Sequence, residues 1–490
     1  MTLAPERPTQ QTFDSLEPAT GAVVASFPIQ SADEVEAAVA RARAAHEWWN
    51  GLGYGGRKDK LDAWKANIAR RLPEIGELIS KENGKPVPDA VLEATLAVDH
   101  IAWAAKNARR VLGPRRVPSG MLQANQAASL EYQAFGVIGV IGPWNYPIFT
   151  PMGSIAYALA GGNCVVFKPS EYTPAVGKWL VDTFREIVPD HDVLQLVTGL
   201  GETGAALCRA GVDKIAFTGS GRTGKKVMAA CSENLVPVLM ECGGKDAMIV
   251  DDDADVKAAA DAALWGGMSN AGQTCIGIER VYATEKAYDG FLKELTEKAS
   301  KVVAGTSYGH ITMPSQVDII REHIADALAH GGKAILGGDI EGTLVQPTIL
   351  TDVPEDSKAV REETFGPTIT VTKVRDADEA VTLTNATSYG LAGAVFAKKR
   401  GMDIARRIRS GMISINAPLA FAGVPGLPFG GTGESGFGRI HGDDGLREFT
   451  RAKAITRQRF ALPTPISSFD RTAKTDALLV KMMRLIHGRG

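Results

Sequence analysis

The stretch EYQAFGVIGVIGPWNYP (residues 131–147) opens the part of the chain that decides the fold. Its apolar run from Phe135 to Ile141 is typical of a short buried strand, and the Gly-Pro pair that follows ends it. Strand-like and helical segments then alternate as NCVVFKPSE, TPAVGKWLVDTFREI, VLQLVTG, ETGAALCRAG, KIAFTGS and TGKKVMAACSE. This alternation predicts βαβ units and a parallel sheet covered by helices on both faces.

A second run of the same kind begins near residue 246 with AMIVD, DADVKAAADAALWGG, ERVYATE and AYDGFLKELTEKASKVV. Two consecutive α/β runs predict two lobes, and the cleft between them is the expected ligand site. Upstream of both runs, the Ser31–Glu34 spacing is that of a capping box and predicts a helix over 31–45. Residues 56–82 and 88–112 are expected to continue as alanine-rich helices.

Composition places the 490-residue chain among ordinary globular proteins, with 44% hydrophobic and 22% charged residues. The 54 Lys and Arg residues do not exceed the 56 Asp and Glu residues, so the net charge of −2 argues against a nucleic-acid partner. The five cysteines include no CxxC pair, which indicates neither a disulfide framework nor a metal site. With no signal sequence expected at the N-terminus and no apolar run long enough to cross a bilayer, we expect a cytoplasmic protein.

Two glycine loops have the GxGxxG spacing that can cradle a phosphate, at 199–204 and 219–224. The first is interpreted as an ordinary turn between a strand and a helix. The second carries a hydroxyl, Ser220, between its first two glycines, and it is favoured for contact with a dinucleotide. The acidic residue expected about 20 positions further on would be Glu241 by spacing alone.

Three residues are candidates for catalysis: Cys275 in NAGQTC, Glu241 in MECGGKD and Asn145 in PWNYP. A cysteine near backbone N–H groups can have a lowered pKa and act as a nucleophile, whereas a structural cysteine is buried and inert. Partial burial of Glu241 at a strand end would suit a general base; the alternative is a turn paired with Lys245. Asn145 supplies either an oxyanion hydrogen bond or an Asx turn.

Seven motifs stand in the order and rough spacing of the NAD(P)-dependent aldehyde dehydrogenase superfamily, which the chain resembles from about residue 18 to 460. They are PWNYP (143–147), FKPSE (167–171), FTGS (217–220), MECGGKD (240–246), NAGQTC (270–275), EETFGP (362–367) and PFGG (428–431). The resemblance implies an α/β fold of two Rossmann-type lobes with a small β-flap for oligomerisation. It divides the chain into a cofactor-binding domain (1–115 and 135–243), a catalytic domain (244–449), the flap (116–134 and 450–460) and a C-terminal tail (461–490).

The same resemblance implies the residue roles. Cys275 attacks the aldehyde to give a thiohemiacetal and then a thioester, and Asn145 with the backbone N–H of Cys275 holds the oxyanion. Glu241 is then the base that activates water, and not the ribose ligand that the spacing rule suggests.

The residues implied for the cofactor lie in four of the motifs. Lys168, Glu171 and Glu363 are implied to bind the ribose hydroxyls. Gly219 and Ser220 are implied to bind the pyrophosphate, and Trp144 and Phe365 to line the cofactor channel. Because the Glu171 carboxylate would repel a 2′-phosphate, NAD is expected, with NADP as the alternative. Arg222 in the phosphate loop is unusual and would soften that discrimination. Homodimers or homotetramers are expected.

The implied substrate tunnel is mostly apolar, and it is lined by Tyr146, Phe149, Thr150, Gly153, Thr274, Ile276 and Phe429. Gly153 is expected to widen it. This set predicts medium- or long-chain aliphatic or aromatic aldehydes, with succinic semialdehyde or another semialdehyde as the alternative. Cys242 departs from the leucine usual in the family, and Ile440 and His441 stand where many members have a glutamate after Gly-Arg.

The tail (461–490) opens with the linker ALPTPISS and continues with an amphipathic helix. Its apolar stripe is Leu478, Leu479, Met482, Met483 and Ile486. The favoured interpretation is a helix packed on its own subunit or a neighbour; a membrane-surface helix and disorder are the alternatives.

Overall fold

The structure is a computed structural model that describes residues 11–462 and 466–488. The first ten residues, where no signal sequence is expected, and part of the predicted linker lie outside this range. The described chain forms two compact units, one from residues 11–111 and 134–450 and the other from 112–133, 451–462 and 466–488.

The first unit begins with a two-stranded antiparallel hairpin and a group of helices. Their bounds are β1 (Thr12–Leu16), β2 (Val23–Pro28), α1 (Ala32–Gly51), α2 (Gly53–Arg70), α3 (Leu72–Asn83) and α4 (Val87–Leu112). The capping box predicted at the start of α1 is confirmed, because Ser31 accepts from the Glu34 N–H and Glu34 accepts from the Ser31 N–H. The single helix expected over 56–82 breaks at Arg71, since Pro73 lacks an N–H and favours the first turn of a new helix.

After β3 (Arg115–Val117) and β4 (Gln126–Ala134), which belong mainly to the second unit, the chain builds the first parallel sheet. Its elements are β5 (Val137–Ile141), α5 (Phe149–Gly161), β6 (Cys164–Lys168), α6 (Pro174–Arg185), β7 (Leu194–Leu196), α7 (Gly201–Arg209), β8 (Lys214–Thr218), α8 (Gly221–Ser232) and β9 (Val238–Glu241). The strands stand in the order β9-β8-β5-β6-β7 and all pair in parallel. Most of their residues are buried, as a sheet covered on both faces requires.

The second sheet begins at Asp246, five residues after the first one ends. Its region contains β10 (Asp246–Val250), α9 (Val256–Met268), β11 (Ile278–Thr284), α10 (Glu285–Ala299), α11 (Pro314–Ala329), β12 (Lys333–Leu336), β13 (Ile340–Glu341), β14 (Leu344–Val345), β15 (Thr348–Thr351), α12 (Lys358–Arg361), β16 (Thr368–Val374), α13 (Ala377–Thr384), β17 (Gly393–Phe396), α14 (Gly401–Arg407) and β18 (Ser414–Ile415). Seven of these strands form one sheet in the order β12-β15-β16-β11-β10-β17-β18. It is parallel except at β12, which pairs antiparallel with β15.

The chain then returns to the first sheet. Strand β19 (Gly436–Phe437) pairs antiparallel with β9 and places Gly436 opposite Glu241. Helix α15 (Gly442–Glu448) follows and packs on α5. A segment within the stretch expected to be the catalytic domain therefore closes one edge of the first sheet.

The second unit contains a three-stranded sheet in the order β20-β4-β3, where β20 is Thr450–Gln458, and the helix α16 (Ala473–His487). Eight of the nine residues of β20 are exposed. Within the described residues, no helix is both long and apolar enough to cross a membrane.

Candidate active site

Cys275 follows α9 through a tight turn that leads into β11. Asn270 and Ala271 adopt positive φ values of 52° and 57°, and a side chain on Gly272 would overlap the backbone of Gly366. A side chain on Gly244 would come within 2.8 Å of the Cys275 carbonyl. Close backbone approach from two sides therefore holds the cysteine in place.

The electrostatic surroundings raise the pKa of Cys275. Burial is the largest cause, and the negative charges of Glu363, Asp246 and Glu241 add to it, whereas a hydrogen bond from the Ile276 N–H acts in the opposite direction. The expectation that nearby N–H groups lower this pKa is wrong for the protein without bound cofactor. The group is a neutral thiol near pH 7.

Glu241 ends β9 with its carboxylate buried and, among the described residues, without a hydrogen-bond partner. Burial raises its pKa well above the usual value; Arg439 opposes this shift and Glu448 adds to it. The alternative of a turn paired with Lys245 is wrong, because Lys245 pairs with Glu279. An unpartnered buried carboxylate with a raised pKa is suited to accept a proton from water.

Asn145 lies in the loop between β5 and α5, and its contacts are long-range. Its side-chain Nδ2 donates to the Gln273 carbonyl at 3.0 Å, two residues before Cys275. Its own carbonyl accepts from Lys85 Nζ at 2.8 Å and from Asn270 Nδ2 at 3.0 Å. The side-chain amide therefore points toward the cysteine turn and forms no local Asx turn.

A buried ion pair supports this loop, and nothing in the sequence indicated it. Lys85 Nζ lies 2.6 Å from Glu93 Oε2, and both side chains are 1% exposed. The other carboxylate oxygen of Glu93 accepts from the Ile148 and Phe149 N–H groups, where α5 begins. Lys85 precedes α4 and Glu93 lies within it, so their spacing of eight residues follows no helical repeat.

On the cofactor side, the N-terminus of α8 presents the second glycine loop. Ser220 is exposed, caps the helix and accepts from the Thr223 N–H, while the Gly219 N–H donates to the Glu241 carbonyl. At the end of β6, Lys168 is buried, and its Nζ donates to the Pro169 carbonyl and lies 3.9 Å from Glu171 Oε2. A helix N-terminus, an ammonium and a half-exposed carboxylate could hold the phosphates and hydroxyls of a dinucleotide.

Glu363, Phe365 and Trp144 meet between the two sheets. The Gly244 N–H donates to Glu363 at 3.1 Å, and burial raises the pKa of this carboxyl to about 8. A side chain on Gly243 would collide with the same carboxylate, so the Glu363 side chain would have to move. The Phe365 and Trp144 rings meet edge-on with centroids 5.5 Å apart. Glu363 also lies close enough to Cys275 to raise the pKa of its thiol.

A cavity of about 220 Å³ reaches Cys275 from the other side. Of the predicted tunnel residues, Tyr146, Phe149, Thr150, Thr274, Ile276 and Phe429 all line it. The Tyr146 hydroxyl is 2.9 Å from Thr274 Oγ1, which ties the two walls together. Sequence reasoning missed the residues that complete the wall, which come from distant segments: Lys85, Asp89, Leu92, Glu93, Leu96, Trp265, Ser269, Asn270, Pro418, Leu419, Ala420, Ala422 and Gly423.

Gly153 does not widen this tunnel, and that expectation is wrong. A side chain on Gly153 would lie 2.5 Å from His441 Nε2 and 2.8 Å from Ile440 Cδ1. The His441 ring fills the space and stacks on His100 with centroids 3.6 Å apart. Gly153, Ile440 and His441 therefore pack together. Ile440 and His441, which depart from the family pattern after Gly438-Arg439, occupy space that a side chain at position 153 of α5 would need.

Within residues 11–462 and 466–488, no group of three or more His, Cys, Asp or Glu residues could hold a metal ion.

Comparison with known proteins agrees with this arrangement. The sequence profile of the aldehyde dehydrogenase family matches residues 6–455. The 4,4'-diapolycopene aldehyde oxidase of Methylomonas sp is 35% identical over 92% of this chain and 87% of its own length. A probable succinate-semialdehyde dehydrogenase [NADP(+)] of Sinorhizobium fredii is 34% identical over 91% of this chain and 93% of its own length.

Among solved structures, the NAD-dependent aldehyde dehydrogenase of Sinorhizobium meliloti superposes with a TM-score of 0.89. The match has 32% identity and covers 94% of this chain and 93% of that one. Fold, motif order and site geometry agree with a match over nearly the whole length. The chain belongs to the aldehyde dehydrogenase family and is an aldehyde-oxidising oxidoreductase.

Proposed function

We propose that this enzyme oxidises uncharged, apolar aldehydes, of medium or long aliphatic chain or aromatic, to carboxylic acids. The observation that carries the proposal is the cavity wall at Cys275. Its apolar part comes from Leu92, Leu96, Phe149, Trp265, Ile276, Leu419 and Phe429. Among the described lining residues Lys85 is the one cation, and Glu93 and the Asn145 carbonyl occupy its ammonium group.

A carboxylate-terminated substrate would find no free cation in this wall. It would also approach Asp89, which lines the cavity and whose carboxyl pKa is raised by burial. Bringing a second carboxylate beside that group costs desolvation and repulsion without a compensating ion pair. An alkyl or aryl group gains about 25 cal/mol for each Å² of apolar surface that it buries. The relative from Methylomonas sp, named for an aldehyde of a hydrocarbon, supports this substrate class.

In the proposed reaction, the Cys275 thiol gives its proton to solvent and the sulfur attacks the aldehyde carbon. The Asn145 side-chain amide and the Cys275 backbone N–H stabilise the oxyanion, which is worth roughly a hundred- to a thousand-fold in rate for each donor. Loss of the hydride from this carbon leaves a thioester on Cys275. Glu241 then takes a proton from the water that hydrolyses the thioester, and its raised pKa suits this role.

We infer that a nicotinamide dinucleotide, when bound, supplies the electron acceptor for this oxidation. Ser220, with Gly219, would hold its pyrophosphate at the N-terminus of α8. Lys168 and Glu171 would bind the adenosine ribose and Glu363 the nicotinamide ribose, with Trp144 and Phe365 at the channel wall. The half-exposed Glu171 carboxylate disfavours a 2′-phosphate, so NAD is proposed over NADP.

Semialdehyde oxidation is the alternative, because several relatives of similar identity are named for succinate or glutarate semialdehyde. The test is kcat/KM for hexanal, benzaldehyde, succinic semialdehyde and glutaric semialdehyde, each with NAD and with NADP. Hexanal and benzaldehyde should exceed both semialdehydes, and Cys275→Ala should abolish turnover. A kcat/KM for a semialdehyde far above that for hexanal would overturn the proposed substrate class. The cysteine mechanism is tested separately, by the activity of Cys275→Ala.

A further inference from the structure

We propose that α16, with the exposed Phe469 before it, attaches this enzyme to anionic lipid surfaces. The helix runs for 15 residues from Ala473 to His487 and is capped by Thr472, whose side chain accepts from the Thr475 N–H. At about 3.6 residues per turn, its large apolar residues other than Val480 fall on one side. They are Leu478, Leu479, Met482, Met483, Leu485 and Ile486.

The middle of this apolar side is covered, since Thr475 is 5% exposed and Leu479 and Met482 are partly buried, but one edge is open. Leu478 and Leu485 on that edge are 55% and 65% exposed. Phe469 is completely exposed four residues before the helix begins. Exposed apolar side chains grouped in this way mark an interaction surface.

The opposite side of α16 is basic. It carries Lys474, Lys481, Arg484 and His487, while Asp476 is paired with Arg471 at 2.6 Å. Residues 451–490 contain nine Lys and Arg residues and two Asp residues, in a chain whose net charge is −2. Lys474 and Lys481 lie next to the edge of the apolar side, where their long stems can lie on the acyl boundary and their ammonium groups can reach phosphates.

These two sides fit a bilayer surface with anionic headgroups, which accepts apolar side chains and binds cations at the same depth. A second copy of this helix is a poorer partner. A two-fold contact would bring the same basic segment of both copies together, and like charges across an interface repel. The proposal is independent of the substrate class.

The test is co-sedimentation of the full-length protein with phosphatidylcholine vesicles, with and without phosphatidylglycerol. Binding is expected to need phosphatidylglycerol and to weaken with salt. Lys481→Gln combined with Arg484→Gln should lower the partition coefficient by about 25-fold, at about fivefold for each charge.

A matched pair of variants separates the two sides of the helix. Leu478→Asp and Val480→Asp place the same charge two residues apart, at positions that are 55% and 51% exposed. Only Leu478→Asp lies on the apolar side, and it should abolish binding, whereas Val480→Asp should lower binding only by the roughly fivefold expected for one added negative charge. Hexanal oxidation and sedimentation velocity of both variants report folding and oligomeric state.

Three results would overturn the proposal. The first is wild-type protein that does not bind phosphatidylglycerol vesicles. The second is equal loss of vesicle binding in both Asp variants. The third is a smaller oligomer for Leu478→Asp with unchanged vesicle binding, which would make this side of the helix a subunit contact.

Discussion

Two buried lysine–glutamate pairs lie on opposite sides of Cys275, and they hold different loops. The pair Lys85–Glu93 supports the loop that carries Asn145 and begins α5. The pair Lys245–Glu279 supports the loop after Glu363, because Glu279 accepts from the Thr364 and Phe365 N–H groups. One pair thus organises the side on which we propose that the aldehyde binds, and the other the side proposed for the cofactor.

The two pairs arise in different ways. Lys245 directly precedes β10 and Glu279 lies in β11, so parallel pairing of Asp246 with Ile278 brings them together. Lys85 and Glu93 belong to no sheet, and they reach the site because the N-terminal helices pack there. The sheet therefore positions Lys245 and Glu279, with Gln316 and His323 of α11 also contacting Thr364, whereas the loop that carries Asn145 depends on the N-terminal helices.

The largest effect is expected for Lys85→Met, which tests the Lys85–Glu93 pair. It leaves Glu93 charged and buried without its partner, which should cost about 3–5 kcal/mol in the free energy of unfolding. The Asn145 carbonyl also loses a donor, so kcat for hexanal should fall by about a hundredfold. Urea denaturation and steady-state kinetics measure the two effects.

The control for that variant is Lys58→Met, which removes an exposed ion pair with Asp62 and should change the free energy of unfolding far less than Lys85→Met does. Equal stability of the two variants would show that the buried pair does not hold the loop. Full recovery of kcat in Lys85→Met with Glu93→Gln would show that only the unpaired charge mattered.

Lys245→Met should lower the free energy of unfolding by about 3 kcal/mol. It should also weaken binding of NAD more than binding of the aldehyde. Thr364 and Phe365 lose their support, so KM for NAD should rise more than KM for hexanal. Lys257→Met is the control, since its ion pair with Glu294 is solvent-exposed on the lysine side. If Lys85→Met and Lys245→Met raise the same KM, the division between the two pairs is wrong.

Glu241 differs from Glu93 and Glu279, because its buried carboxylate is not paired with a lysine. Its pKa is raised by burial, so its ionisation opposes folding, and the cost appears as pH rises above about 4.5, the usual value. Glu241→Gln should therefore be more stable than wild type at pH 8 and equal to it at pH 4. The gain is about 1.4 kcal/mol for each unit of the raised pKa.

Thermal unfolding at the two pH values measures this difference, and the same variant should lose thioester hydrolysis. A variant that is less stable than wild type at pH 8 would mean that the carboxylate has a stabilising partner.

Cys275 lies between the two pairs, and its thiol pKa is raised above the usual value near 8.5. Alkylation by iodoacetamide without cofactor should therefore accelerate about tenfold for each pH unit from 7 to 8.5, because only the thiolate reacts. Cys275→Ser identifies the labelled site, since the other four cysteines are buried. A flat rate over this range would mean that the thiolate already predominates at pH 7.

Glu171 with Lys168 is a third lysine–glutamate couple, and its carboxylate is 40% exposed. The smallest effect is expected here, because solvent screens the charge. Glu171→Gln should lower the preference for NAD over NADP by about fivefold, measured as the ratio of kcat/KM values, with little change in stability. Glu202→Gln, an exposed change on α7, serves as the control, and an unchanged ratio in Glu171→Gln would exclude this carboxylate as a selector.

Local patterns predicted the parallel sheets and the capped start of α1, because each depends on residues close together in the chain. The break at Arg71 was missed although Pro73 signals it. Cys275, Glu241 and Asn145 were identified by motif order, and the structure brings Asn145 and Glu241 to the neighbourhood of the cysteine. Burial of Cys275 reversed the expected direction of its pKa shift, since three carboxyl groups from separate segments surround it.

The sequence by itself determined the fold class and family, since hydrophobic periodicity and motif order are properties of short segments. Tertiary structure decided the partner of Lys85, the use of the space beside Gly153 and the walls of the cavity. Each of these depends on contacts between residues far apart in the chain, such as His441 with Gly153. Such contacts leave no local signal, because packing of whole helices and sheets sets which side chains meet.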